Sequence, residues 1–347
     1  MSSSKFVRRA LVGGALAAGA ALWAVRPRSF GDKQKHFVPS VPEAWYAHRG
    51  LHDAGSGLTE EYAVESAAYV ALARSMAIKA GYGSAAESGP IAPENSLASF
   101  AAACEAGFGI ELDLQLTLDG QVVVVHDPDL MRVAGDPRRI EDLTYDELTR
   151  IPLFPAPAEP GDAVAHPLPK SQMNPPLVTT PDAAPDGYYQ HVPLFADVLR
   201  VVASRVPLIV EYKFDDNAAW DERCDELMEK GDELLRAYDG AYVIESFNPR
   251  AVDWYRQHRP EVCRGQLAEG APVSNPGAWA AGLLAFDWLS RPDFVAYDWH
   301  GGNSPQMRAT RALGATAVSW TVRSSDELAE CDDWFDRHIF EAFVPRR

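Results

Sequence analysis

From about residue 194 to its C-terminus this chain alternates short apolar runs with single amphipathic stretches, and that rhythm limits its fold more than any other feature. Leu208–Lys213, Tyr242–Ser246, Val262–Leu267, Phe294–Tyr297, Ala315–Thr321 and His338–Phe340 read as strands. Helical stretches near Leu194–Ser204, Ala218–Ala237, Arg250–His258, Trp279–Leu289, Gln306–Leu313 and Asp326–Phe335 punctuate them. Parallel strands need such crossovers, so the pattern predicts a parallel α/β sheet. Adding Trp45–Gly50, a short strand ending in a polar cluster, and Gly109–Thr117 upstream brings the strand count to about eight, which suits a closed (β/α)8 TIM-type barrel. No G-x-G-x-x-G follows any strand, so a dinucleotide-binding open sheet is the weaker alternative.

Gly109 to Thr117 alternates with period two, and Asp119-Gly120 then leads to Val122–Val125. A strand, a D-G pair and a second strand predict a hairpin, here an arm at the barrel mouth. With Asp119 and Gly120 as the two turn residues, Leu118 faces Gln121 and Asp113 faces His126. Directly opposed side chains sit about 5 Å apart at Cβ, so the turn predicts an acidic–histidine cluster.

The domain reading is simple. Residues 1–40 form an N-terminal hydrophobic segment and linker, and 41–347 form the barrel, with insertions at about 51–90 and 153–191. Lys5, Arg8 and Arg9 precede an apolar run from Ala10 to Val25, which resembles a signal-peptide core or a short membrane anchor. No small-x-small cleavage site stands out, so an uncleaved anchor is expected, placing the protein at a membrane or in the cell envelope. Arg26, Arg28, Lys33 and Lys35 balance the charge beyond the run and leave the orientation unset. A net charge of −17 argues against nucleic acid as a partner. It does not argue against phosphate, which a few local cations can hold. Four scattered cysteines show no metal-ligand spacing and are expected to be free thiols.

Barrels of this kind carry their chemistry at the C-terminal ends of the strands, where several polar residues fall. Glu111 and Asp113, two apart on one strand, point to the same side, and Glu211 on the adjacent strand adds a third carboxylate. An all-oxygen set suits a hard divalent cation, Mg²⁺ or Ca²⁺. The competing account pairs these acids with Arg49 and Lys213 for structure alone. His48 and His126 are the candidates for proton transfer, since imidazole titrates near neutrality. Arg49 and Lys213 are placed to bind phosphoryl oxygens. Asn95 can cap the helix that opens at Ser96. Glu94 beside it can orient a histidine or substrate, and Trp320 can wall the substrate's organic part.

With these residues in hand, the chain resembles the glycerophosphodiester phosphodiesterase family. The stretches that carry the resemblance are Ala47-His48-Arg49-Gly50, Pro93-Glu94-Asn95-Ser96 with Ser99-Phe100, and Ile110-Glu111-Leu112-Asp113. Thr117-x-Asp119-Gly120 leading to His126-Asp127, Val210-Glu211-Tyr212-Lys213, Ser246-Phe247-Asn248 and Trp320-Thr321-Val322 follow in the family's order. The resemblance implies His48 and His126 as the acid–base pair, Glu111, Asp113 and Glu211 as metal ligands, and Arg49 and Lys213 as phosphate contacts. It also implies an active-site role for Glu94, and cleavage of glycerophosphodiesters to glycerol 3-phosphate and an alcohol. The family's closing Thr-Asp-x-Pro is replaced here by Phe340-Glu341-Ala342-Phe343-Val344-Pro345. Two alternatives stand beside this reading. One is an enzyme of intact phospholipids, like phospholipase D or sphingomyelinase D. The other is a tethered, non-catalytic binder of phosphate ligands.

Overall fold

The short strand Trp45–Ala47 (β1) is hydrogen-bonded along both edges, and that double pairing closes the sheet. The structure, a computed structural model, describes residues 18–30, 40–155, 188–214 and 219–346. In chain order the remaining strands are Gly109–Leu116 (β2), Val122–Val124 (β3), Asp129–Leu130 (β4), Asp136–Arg139 (β5) and Leu208–Tyr212 (β6). Tyr242–Ser246 (β7), Arg264–Ala268 (β8), Phe294–Asp298 (β9), Thr316–Val322 (β10) and Arg337–Phe340 (β11) follow. Eight of them, β1, β2 and β6 to β11, form one closed parallel ring, with β3 pairing antiparallel on the far end of β2. The expected (β/α)8 barrel is therefore present.

The helices around it begin and end on local signals. Ser96 and Ser99 make a reciprocal capping box for Leu97–Ala106, which Gly107 stops in the left-handed region at φ 74°. Asp221 caps Glu222–Arg236, and Asn248 with Pro249 opens Pro249–His258. Inside the ring, Tyr46, Ile209, Val243, Leu267, Phe294 and Val318 form a packed plug. A second, larger apolar layer lies between strands and helices. Burying each such side chain contributes roughly 1.5–3 kcal/mol. The plug leaves the upper, C-terminal end of the ring free for polar groups.

The hairpin register needs correction. The hairpin pairs Leu114 with Val124 and Leu116 with Val122, one residue out from the register expected of a two-residue turn. Leu118, Asp119 and Gly120 form a three-residue loop between Thr117 and Gln121, and Gly120 takes φ +70° where a side chain would be strained. Asp113 therefore faces Val125, not His126. Residues 26–30, the described start of the expected linker, touch the barrel. Arg28 forms a two-point ion pair with Asp293 just ahead of β9, and Thr310 Oγ1 donates to the Val25 carbonyl. Of the expected anchor, residues 10–17 lie outside the described residues. Among the described residues no helix is long and apolar enough to cross a membrane. Of the second insertion, 156–187 also lies outside them. All four cysteines are free.

Candidate active site

Pairing register assembles the acidic cluster. Asp113 on β2 is level with Glu211 on β6, and Glu211 is level with Glu245 on β7, so three carboxylates share one tier of the barrel interior. Glu111 lies one tier below Asp113. One oxygen each from Glu111, Asp113 and Glu211 falls within a 4.8 Å cluster, and all three residues are buried.

This donor set fits a hard divalent cation. Burial, then Asp113 and Glu211, pushes the Glu111 carboxyl well above its ordinary range. Burial, then Asp113, pushes Glu211 up to about 7 although Lys213 opposes the shift. Like charges this close resist shared ionisation, and a cation relieves the conflict. Asp113 differs. Burial opposes its charge, yet His126, Lys213 and Arg49 hold it well below the usual range. Its Oδ1 is buried with no hydrogen-bond partner, a free lone-pair site facing the cluster's charges. Asn95 does not cap a helix, because Ser96 does. Its amide instead donates to Asp113 Oδ2 at 2.8 Å.

Both histidines are gripped at Nδ1. His48 follows β1 and bonds Glu341 Oε2 at 2.6 Å, which leaves Nε2 3.9 Å from Glu111 Oε2. His126 follows the hairpin arm and bonds Asp127 Oδ1 at 2.7 Å, with Nε2 3.1 Å from Lys213 Nζ. The arm's turning after β3, not cross-strand pairing, brings His126 to the cluster. Burial and Arg49 push His126 down to about 4. Burial also lowers His48, against the pull of Glu341.

The cations are interleaved with these acids. Lys213 Nζ sits 3.1 Å from Glu211 and 3.9 Å from Asp113. Arg49, at φ +57°, donates its backbone N–H to Glu111 and its Nη1 to Glu94 Oε1 at 2.8 Å, while its buried Nε makes no hydrogen bond and lies 3.6 Å from Asp113 Oδ2. Glu94 spends its oxygens on Arg49, Arg132 and the Ser56 N–H, so it organises cations and touches neither histidine by hydrogen bond. A cavity of about 790 Å³ opens on His126, Glu211 and Lys213, with Phe247 and Trp320 in its wall. The Trp320 ring meets Phe247 edge-on at 5.5 Å, and its Nε1 is buried and unpartnered.

Four participants escaped sequence reasoning. Arg132 forks onto Glu94 and reaches Asp127 with Nε at 2.6 Å, tying the arm to the ring. Glu341 is fully buried, and its place in the altered closing motif was its one visible signal. Ser56, in the first insertion, donates its hydroxyl to Glu341 at 2.7 Å. The flanking Gly57, at φ +74°, lies so near Glu341 that an added Cβ would sit 2.6 Å from its carboxyl. Glu245 is buried beside Glu211, with one carboxylate oxygen unpartnered.

Two restrained imidazoles, a cation-ready carboxylate trio and fixed cationic donors gathered at the strand ends define a barrel hydrolase suited to phosphate esters. The profile of the Glycerophosphoryl diester phosphodiesterase family matches residues 83–337, and the chain belongs to that family of phosphoric diester hydrolases. A putative glycerophosphodiester phosphodiesterase of Bacillus subtilis is 41% identical over 251 residues, covering 69% of this chain and 84% of the relative. Glycerophosphodiester phosphodiesterase 1 of Bos taurus is 23% identical over 282 residues, covering 73% of each chain. An Oleispira antarctica phosphodiesterase, solved with the product sn-glycerol-3-phosphate, shares the fold at TM-score 0.54 and 19% identity, covering 88% of this chain and 94% of that one.

Proposed function

We propose that the chain hydrolyses glycerophosphodiesters to glycerol 3-phosphate and an alcohol, with His48 and His126 moving the protons. The observation that carries this is the matched suspension of the two rings, each fixed at Nδ1 by a carboxylate with Nε2 turned to the acid–cation cluster. One imidazole takes a proton from water as its oxygen attacks phosphorus. The other gives a proton to the alkoxide as the bond from phosphorus to the alcohol oxygen breaks. Arg49 and Lys213 hold the non-bridging oxygens, and the Arg49 Nε–H, though paired in charge with Asp113, is not committed to a hydrogen bond. Glu94 positions Arg49, and Trp320 with Phe247 flanks the organic part. Glu111, Asp113 and Glu211 are the residues that would hold Mg²⁺ or Ca²⁺, and such an ion supplies Lewis-acid stabilisation when bound. The same reading tethers the barrel to a membrane through Ala10–Val25.

The test is release of glycerol 3-phosphate from glycerophosphocholine by the full chain, with EDTA, Mg²⁺ or Ca²⁺, beside His126→Ala. Metal-dependent release that the substitution abolishes is expected. No release with any of these ions would overturn the reading, and a parallel assay on diacyl phospholipid would then test the phospholipase-type alternative.

A further inference from the structure

The barrel side beside the β8–β9 connection exposes rings that the reaction does not use. After β8 the chain forms two short helices, Pro276–Gly282 and Asp287–Ser290. Trp279, Leu283, Phe286 and Trp288 are exposed there, as is Val273 on the loop ahead of them. Eight of the twelve large apolar residues exposed among the described ones lie on this connection or on residues 18–30, so the apolar surface is concentrated. The two segments meet where Trp23 stacks on Trp288 at 6.2 Å. Both rings nevertheless remain about half open, 52% and 47%, so their contact does not cover the patch.

Positive charge borders the rings. The Arg291 guanidinium lies 4.6 Å over Trp23 and donates to the carbonyls of Trp23 and Arg26. Burial pushes the neighbouring Asp287 carboxyl well above its usual range. In a chain of net charge −17, a face of tryptophan and arginine is a local exception. Tryptophan seeks the boundary between water and acyl chains, and arginine meets lipid phosphate there.

The continuity of the chain selects the occupant. The apolar run Ala10–Val25 ends inside this patch, because Trp23 belongs to both. We propose that this face docks on the headgroup layer of a phospholipid bilayer, with Trp23, Trp279, Phe286 and Trp288 in the interface. The barrel then leans on the membrane and does not merely hang from its N-terminus. Glu269, which opens this same connection, lines the active cavity, so docking brings the cavity rim toward the lipid surface.

The inference rests on the membrane tether and not on the chemistry. The full chain is mixed with vesicles of phosphatidylcholine and phosphatidylglycerol, sedimented, and followed by amide hydrogen exchange. Exchange over 273–291 is expected to slow by about tenfold or more on vesicles, with Glu222–Arg236 unchanged. The combined substitution Trp279→Glu, Phe286→Glu and Trp288→Glu should abolish that protection while glycerophosphocholine hydrolysis stays at the unsubstituted rate. Sedimentation without protection would overturn docking and spare the tether, and a chain left in the supernatant would overturn both. Protection that rises with protein concentration in the absence of lipid would assign the face to a second copy and overturn the proposal. Since the exchange measurement uses the unsubstituted chain, a misfolded variant cannot hide these outcomes.

Discussion

His48 and His126 are suspended alike but backed differently. Behind His48, Glu341 is fully buried, and Arg323 and Ser56 share its oxygens with the imidazole. Burial works against its charge, yet His48 and Arg323 hold it well below the usual carboxylate range. Behind His126, Asp127 is partly open to water and sits on the hairpin arm outside the closed ring. Arg132 steadies it from the side, while its fork holds Glu94. Hydrogen bonds to charged groups strengthen as water is excluded, so the His48 corner should depend more on its carboxylate. The ring supplies one imidazole on a rigid wall and the arm delivers the other.

The largest expected effect strikes both corners at once. Removing divalent cations with EDTA should take phosphodiester hydrolysis to background, and Mg²⁺ or Ca²⁺ should restore it. Glu111→Gln should leave the chain folded by circular dichroism and lower its divalent-ion content on dialysis. Full activity in a chelated, metal-free sample would remove the cation from the comparison.

Next come the rings themselves. His48→Ala and His126→Ala should each lower kcat by about 10²–10⁴-fold, the usual reach of a positioned proton-transfer group. A substrate with an activated leaving group, such as a p-nitrophenyl phosphodiester, should rescue one variant and not the other. The rescued variant identifies the acid, because a good leaving group needs no proton. Equal rescue of both would dissolve the division of labour.

Neutralising the backing carboxylates sharpens the contrast. Glu341→Gln should reduce kcat by up to about 10⁴-fold, the cost when a histidine's buried carboxylate partner is lost. Asp127→Asn should cost less, since water and Arg132 remain beside His126. KM for glycerophosphocholine should barely move in either variant. A larger loss from Asp127→Asn would invert the ranking of the two corners.

Much of the barrel and its ligand set is legible in the sequence for one physical reason. Strand residues alternate faces, so Glu111, Asp113 and Glu211 must enter the ring once the apolar runs are recognised as its walls. His48, Arg49 and Lys213 are legible because strand ends are where polar residues cost least. The backing is not, because it forms across the ends of distant elements. Ser56 meets Glu341 across 285 positions, and Arg132 meets Glu94 across 38. The hairpin shows a finer limit. Asp119-Gly120 correctly marks a turn, yet Gly120 serves equally in a two- or three-residue loop, and the choice decides which side chain faces Asp113. Asn95 misleads similarly, since it and Ser96 are both good caps and Asp113 claims the first.

The smallest effect asks whether the first insertion belongs to the His48 corner. Residues 55–57 pass between Glu94 and Glu341, with the Ser56 N–H on the former and its hydroxyl on the latter. Ser56→Ala keeps the backbone bond and deletes one of three donors to Glu341. A hydrogen bond to a carboxylate still held by His48 and Arg323 is worth about 1 kcal/mol. Turnover should fall by up to about fivefold, and folding stability by no more than about 1 kcal/mol. His126 provides the control. In an Asp127→Asn background the serine change should cost the same factor, because the two corners share no hydrogen bond to Ser56. Additive losses would keep the corners independent. A serine effect that vanished in that background would show that the insertion acts through Glu94 and Arg132 on the arm, joining the two corners into one unit.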